Sequence, residues 1–278
     1  MDPLSITCEN CGSSPLEPFV IRPVQTLWRC VVCDLYQKGL PPSDAAYESD
    51  YHDDYQRQLP RKLTTAGVRL SAVARTIDVS RPRMLDIGCS IGATVEMAQQ
   101  IGWDAEGVDV SETAVAKCRS RGLRCHRMDG IRLPFDDESF DVVTSWHVIE
   151  HVENVQQTLN EWYRVVRPGG VMVLETPDAG YLKARLKGAA YQKFWAPEHI
   201  YTFRKHNLQP FLERAGFEIL PNPVWAQVSL LSPSRAGYAL IYRGLKAVCR
   251  SLSLSKAFEI YCRRPPSSGS AMSWRRAA

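Results

Sequence analysis

No stretch of about 18 consecutive apolar residues occurs in this sequence, so no segment reads as a helix able to cross a bilayer. The opening residues, Met1-Asp2-Pro3-Leu4, lack the basic and then apolar layout of a secretory leader. The chain therefore reads as cytosolic. Bases are scarce at one end and acids at the other. Residues 1–40 hold only Arg22, Arg29 and Lys38 as bases, against Asp2, Glu9, Glu17 and Asp34. A surface that binds nucleic-acid phosphates needs an excess of bases, so this end is a poor candidate for one. From Arg235 onward Glu259 is the only acid, against nine bases. That asymmetry points either to an anionic partner or to a plain solvated tail. At 278 residues, 45% hydrophobic and 23% charged, the composition is globular and excludes wholesale disorder, collagen and coiled coil.

Nine cysteines are present, four of them in two pairs, Cys8-x2-Cys11 and Cys30-x2-Cys33. Each pair fits one tight knuckle, and two knuckles complete a tetrahedral shell of four thiolates. The spacing predicts a small zinc ribbon over residues 1–40, with a closed structural metal site. Gly12 suits the turn after the first pair, and Val24–Val32 supplies a short strand between the knuckles. A near-neutral ribbon suits protein contact or substrate shaping better than nucleic acid. It reads as self-contained, so the rest of the chain is expected to stay folded without its metal. Cys89, Cys118, Cys125, Cys249 and Cys262 show no ligand spacing and are expected to be buried or incidental. Residues 41–62 read as a linker, opened by Pro41-Pro42 and rich in Tyr and Asp.

From Arg83 the pattern changes. Met84–Ile87 is a short apolar strand, Gly88-Cys89-Ser90-Ile91-Gly92 a glycine-bearing turn, and Thr94–Gly102 a helix with an apolar face. A second strand, Ala105–Val110, contains Asp109, and Ser111 with Glu112 opens the next helix. Strand, glycine turn, helix and acid-bearing strand form a nucleotide-type half-unit, in which the acid grips ribose hydroxyls. Asp86 stands just ahead of the first glycine. An acid there would repel a pyrophosphate and suits a ligand with an ammonium group, such as S-adenosylmethionine.

These residues resemble motif I of the class I S-adenosylmethionine-dependent methyltransferases. Ser90 stands where that family more often has glycine, a small side chain expected to fit. Arg127-Met128-Asp129-Gly130 resembles the adenine-side segment, and Ser139–Ser145 resembles strand four. Trp146-His147-Val148-Ile149-Glu150-His151-Val152 is similar to a segment of quinone-type O-methyltransferases, and Arg167-Pro168-Gly169-Gly170 to the turn before strand five. Phe194–Phe203 and Leu212–Phe217 resemble the substrate-side segment and last helix of that subgroup. The resemblance implies an α/β fold, a Rossmann-like seven-stranded sheet spanning residues 63–264, with the small N-terminal ribbon appended. It implies S-adenosylmethionine as cofactor, held by Asp86, Gly88, Cys89, Gly92, Asp109, Val110, Asp129, Gly130, Ser145 and Trp146.

A hydroxyl acceptor profits from a general base. His147, His151 and His199 fall on site-side segments, and His151 and then His199 are the expected catalytic residues, with Glu150-His151 opening the helix after strand four. Phe217–Leu220 and Phe258–Cys262 resemble the family's strands six and seven. Residues 225–255 are then an insertion that leaves the sheet on the cofactor side, carrying Arg243, Lys246 and Arg250 among leucines at helical spacing. That composition suits a lid, or peripheral contact with an anionic inner-membrane surface. Residues 265–278 read as a disordered tail. The expected activity is methyl transfer to a small-molecule or lipid- or sugar-linked acceptor, most simply at oxygen. An rRNA base methyltransferase with a zinc finger and a non-catalytic cofactor-binding scaffold are the alternatives.

Overall fold

The computed structural model describes residues 7–21, 26–38, 57–128, 130–191, 194, 196, 198–223 and 256–267. Asp129, most of the 41–62 linker, the 225–255 insertion and nearly all of the tail lie outside them. The linker expectation is shortened at its far end, where helix α1 (Leu59–Val73) begins with Pro60 in its first turn. Proline there loses no hydrogen bond, because the first amides of a helix have no internal partner.

The glycine turn links β4 (Arg83–Ile87) to α2 (Ala93–Gln100), followed by β5 (Asp104–Asp109), α3 (Glu112–Ser120) and β6 (Cys125–Arg127). Next come β7 (Phe140–Trp146), α4 (Val155–Val165) and β8 (Val166–Pro177). After the short helix α5 (Leu182–Lys187), β9 (Tyr201–Thr202), α6 (Lys205–Arg214), β10 (Glu218–Leu220) and β11 (Ala257–Arg263) follow. Seven strands form one sheet in the order β10-β11-β8-β7-β4-β5-β6. Neighbours from β6 to β8 are parallel, and β11 is antiparallel to both β8 and β10. This is the Rossmann-like seven-stranded methyltransferase sheet that the motifs imply.

The central strands read as continuous apolar runs because helices cover both faces. Phe140, Val142 and Val143 of β7 are fully buried. On α4 the buried residues Val155, Thr158, Leu159, Trp162 and Val165 recur at three- and four-residue steps, as a helix with one face on a core requires. Leu159 and Trp162 join Leu208 and Phe211 of α6 in one apolar cluster, while Leu70, Val95, Ala98 and Val115 of α1, α2 and α3 join the other. The two clusters sandwich the sheet. Asn154 caps α4 by accepting from the Gln157 amide at 2.9 Å. That cap places Glu150 and His151 in the turn ahead of the helix rather than at its opening, correcting the sequence expectation.

The ribbon is not a separate appendage. Strands β1 (Glu17–Ile21), β2 (Thr26–Arg29) and β3 (Tyr36–Lys38) form a second sheet whose fourth member is β9, from the methyltransferase part. Tyr36 pairs with Thr202 and Gln37 with Tyr201. Phe19, Tyr36 and Phe194 pack ring against ring at 5.0–5.7 Å. Leu16 and Leu35 belong to the same buried cluster as Leu159 and Phe211. The ribbon therefore shares core with the rest of the chain, and the expectation of a self-contained module is corrected.

Candidate active site and thiol clusters

The strands of the parallel sheet end together along one edge, where a cleft of about 1060 Å³ opens between the glycine turn, α1 and the turn after β7. Ligands of open α/β sheets bind beyond that carboxyl edge. Of the residues expected to hold the cofactor, Asp86, Gly88, Cys89, Asp109, Val110, Gly130 and Trp146 line the cleft. Gly88 has φ +72°, and a Cβ there would stand 2.2 Å from Val148 Cγ2. Only glycine fits such a turn. Ser90 also adopts a positive φ, 48°, which explains why glycine suits the position better.

Two predicted residues are elsewhere. Gly92 caps α2 and does not line the cleft; a Cβ on it would meet Leu123 at 2.6 Å and Cys118 at 2.9 Å. Ser145 is buried within β7, beneath the floor, and Trp146 is the strand residue that reaches the cleft.

Asp109 is held by two amides, Ser90 N–H to Oδ2 at 2.7 Å and Ser111 N–H to Oδ1 at 2.9 Å. Asp86 lies deep in the cleft wall, and Thr144 donates to its Oδ1 at 2.6 Å. Burial pushes its carboxyl up to about 7, against the smaller opposing effect of that hydrogen bond.

Past β7 the chain turns sharply, with His147 at φ 60°. Its ring lies between two carboxylates: Nδ1 is 3.3 Å from Glu150 Oε1, and Nε2 is 2.9 Å from Glu175 Oε1. Burial lowers the imidazole pKa, but these two acids outweigh it and hold it at about 9. His147 is thus a cation at neutral pH and a poor base. Burial by itself raises Glu175, while His147 and Arg69 together bring it down to about 2. Arg69, from α1, pairs with Glu175 and lays its guanidinium 4.2 Å over the Trp146 ring. Arg69 and Glu175 were not singled out from sequence, whereas Glu150 was, beside His151. The pairing of α1 with β8 leaves no local signal.

His151 lines the cleft, with Nδ1 2.8 Å from the Glu198 carbonyl. A carbonyl only accepts, so Nδ1 carries a proton. Glu150 Oε1 is 4.0 Å from His151 Nε2, and Thr176 donates to Glu150 Oε2 at 2.9 Å. His199 is buried behind His151, with ring centroids 4.9 Å apart in an edge-to-face contact, and is not among the residues lining the cleft. One ligand atom each from Glu150, His151 and His199 lies within 4.8 Å of the others, a donor set that suits a cation.

At the ribbon, the sulfurs of Cys8, Cys11, Cys30 and Cys33 also gather within 4.8 Å of one another. The two knuckles repeat one hydrogen-bond pattern: Gly12 N–H to Cys8 O and Asp34 N–H to Cys30 O, both at 2.9 Å. Gly12 and Asp34 share the left-handed conformation, with φ 69° and 64°. Arg29 and Arg204 pair with Asp34.

A Rossmann-like sheet with a glycine turn, a ribose-type acid and a cleft at the carboxyl edge defines a class I S-adenosylmethionine-dependent methyltransferase. A methyltransferase-domain family matches residues 55–222, and the chain belongs to it. Among curated relatives, a probable S-adenosylmethionine-dependent methyltransferase of Mycolicibacterium smegmatis is 32% identical over 138 residues, covering 49% of this chain and 52% of that protein. A ubiquinone biosynthesis O-methyltransferase of Rhodopseudomonas palustris is 32% identical over 178 residues, covering 57% of this chain and 69% of the relative. The match thus spans about half the length of the first relative and about two thirds of the second. Of solved structures, an S-adenosylmethionine-dependent methyltransferase from Archaeoglobus fulgidus aligns at TM-score 0.54 and 20% identity, over 77% of this chain and all of that one. It shares the fold.

Proposed function

We propose that the chain methylates a hydroxyl oxygen on a small or lipid-linked acceptor, with His151 as the general base. The observation that carries this reading is the position of His151 in the cleft wall, where Nδ1 is held by the Glu198 carbonyl. S-adenosylmethionine, when bound, supplies an electrophilic methyl group. Asp109 would hold its ribose hydroxyls, Asp86 would attract its ammonium group, and the Gly88 backbone would give room for close approach. His151 Nε2 takes the acceptor proton, and Glu150 stabilises the imidazolium that forms. His199 holds the His151 ring from behind. The relatives named for ubiquinone O-methylation support an oxygen acceptor.

A membrane-borne acceptor is supported by α5, where Leu182 and Leu186 are exposed beside Lys183, Arg185 and Lys187. Apolar residues flanked by bases suit an anionic bilayer surface. At the ribbon, four thiolates at this spacing suit a structural zinc ion.

The test is transfer of labelled methyl from S-adenosylmethionine to a panel of phenolic, sugar and amine acceptors, with His151→Ala alongside. Oxygen-linked label is expected, lowered about 10²–10⁴-fold in the variant, with cofactor affinity unchanged. Label on nitrogen alone, or full activity in His151→Ala, overturns the reading.

A further inference from the structure

Three thiols that share no ligand spacing in the sequence meet behind the glycine turn. Cys89 comes from the turn itself, Cys118 from α3 and Cys125 from β6, and all three are buried. Their sulfurs lie within 4.8 Å of one another. Cys89 Sγ is 3.8 Å from Cys125 Sγ, and Cys118 Sγ donates to the Ser90 carbonyl at 3.1 Å. The same carbonyl lies 3.7 Å from Cys89 Sγ. Two glycines keep the space open: a Cβ on Gly107 would stand 2.7 Å from Cys89 Sγ, and one on Gly92 2.9 Å from Cys118 Sγ.

Sulfurs bound to one tetrahedral ion through bonds of about 2.3 Å stand about 3.8 Å apart. A disulfide needs about 2.05 Å. The Cys89–Cys125 separation of 3.8 Å fits sulfurs that share an ion and is far too long for a bond. We propose that Cys89, Cys118 and Cys125 bind a thiophilic d10 cation of the Zn(II) or Cu(I) kind, with the Ser90 carbonyl on the remaining side. Soft thiolates select such ions. Cys89 lines the cofactor cleft, which gives the ion its way in. Arg119 donates to the Cys125 carbonyl at 3.0 Å and Arg121 to the Ile91 carbonyl at 2.6 Å. Arg121 is paired with Glu96 and Arg119 lies 3.9 Å from Glu112, so the bound cation itself would offset the charge of the thiolates. The site touches the cofactor turn through Ser90, whose amide holds Asp109.

Cadmium(II) is the probe, titrated into the full chain and followed by its thiolate absorption band and by cadmium NMR. The wild type is expected to bind one equivalent more than either Cys118→Ala or Cys125→Ala. Cys262→Ala, which removes a buried thiol on β11, is expected to match the wild type. Cys11→Ser reports on the ribbon alone, so a failed ribbon assignment leaves the difference at the three-thiol site readable. Bound S-adenosylhomocysteine is expected to slow cadmium uptake at this site by closing the cleft. Equal stoichiometry in the wild type and in both trio variants, each with native circular dichroism, overturns the proposal. If one of the two fails to fold, the other decides.

Discussion

The backbone N–H of Ile200 is bonded to the carbonyl of Glu150 at 2.8 Å. The Ile200 carbonyl in turn accepts from the Lys38 N–H at 2.9 Å. Two hydrogen bonds thus connect the ribbon to the turn that carries Glu150 and His151. If the four thiols hold the proposed zinc, its removal by chelation or by Cys33→Ser is expected to weaken the β3–β9 pairing first. The acceptor KM should then rise several-fold while cofactor affinity holds, because the glycine turn lies on other strands. Steady-state kinetics and calorimetry before and after chelation check this. Loss of cofactor binding in parallel would show that the effect is global.

Asp109 is expected to dominate cofactor affinity. Asp109→Ala removes the proposed acceptor for the ribose hydroxyls and leaves the Ser90 and Ser111 amides without their carboxylate. Lost charge-assisted hydrogen bonds cost about 2–4 kcal/mol together, so the dissociation constant should rise on the order of 30- to 1000-fold. Calorimetry with S-adenosylhomocysteine measures it, and a wild-type value would remove Asp109 from the site.

Asp86 gives a pH signature. Its folded pKa of about 7 lies above the ordinary carboxylate value, so folding disfavours its charge and stability falls as pH rises toward 7. An ammonium group facing Asp86 prefers it ionised. Cofactor affinity should therefore climb by up to tenfold per unit from pH 5 to 7 and then level. Asp86→Asn is expected to flatten that profile, and a flat wild-type profile would refute the assignment.

His147 shifts stability in the same direction, in a higher pH window. Its folded pKa of about 9 exceeds the ordinary imidazole value, so its contribution is fully present below about 6.5 and is lost as pH rises through 9. Thermal melts at pH 6, 8 and 10 should show wild type losing more stability across this window than His147→Gln. Parallel curves for the two proteins would mean that the ring is neutral.

Much of the cofactor side was legible because its chemistry needs given residue types at short, fixed spacing. Asp86, Gly88 and Asp109 fall within one strand-turn-helix-strand unit, and the two CxxC pairs announce themselves. The remainder depends on sheet order. Arg69 and Glu175 are 106 residues apart and meet only because α1 lies against the end of β8. The three-thiol cluster draws on a turn, a helix and a strand, a convergence that only the folded unit creates. Of the two expected residues Ser145 and Trp146, alternation along β7 turns Trp146 to the cleft and Ser145 inward. The ribbon seemed separable because nothing in residues 1–40 reveals that their sheet takes its last strand from Tyr201–Thr202.

The order of strands also sets the order of assembly. β11 closes the sheet against β8, with Ala257 opposite Pro177 and Arg263 opposite Val171. As the chain emerges during synthesis, β8 waits for a partner that is made about eighty residues later. Until then Val171, Met172, Val173 and Leu174, all fully buried in the finished protein, line an unpaired apolar edge. Such an edge invites pairing with other chains. Yield on expression should therefore be governed less by the stability of the finished fold than by how quickly Ala257–Arg263 arrives.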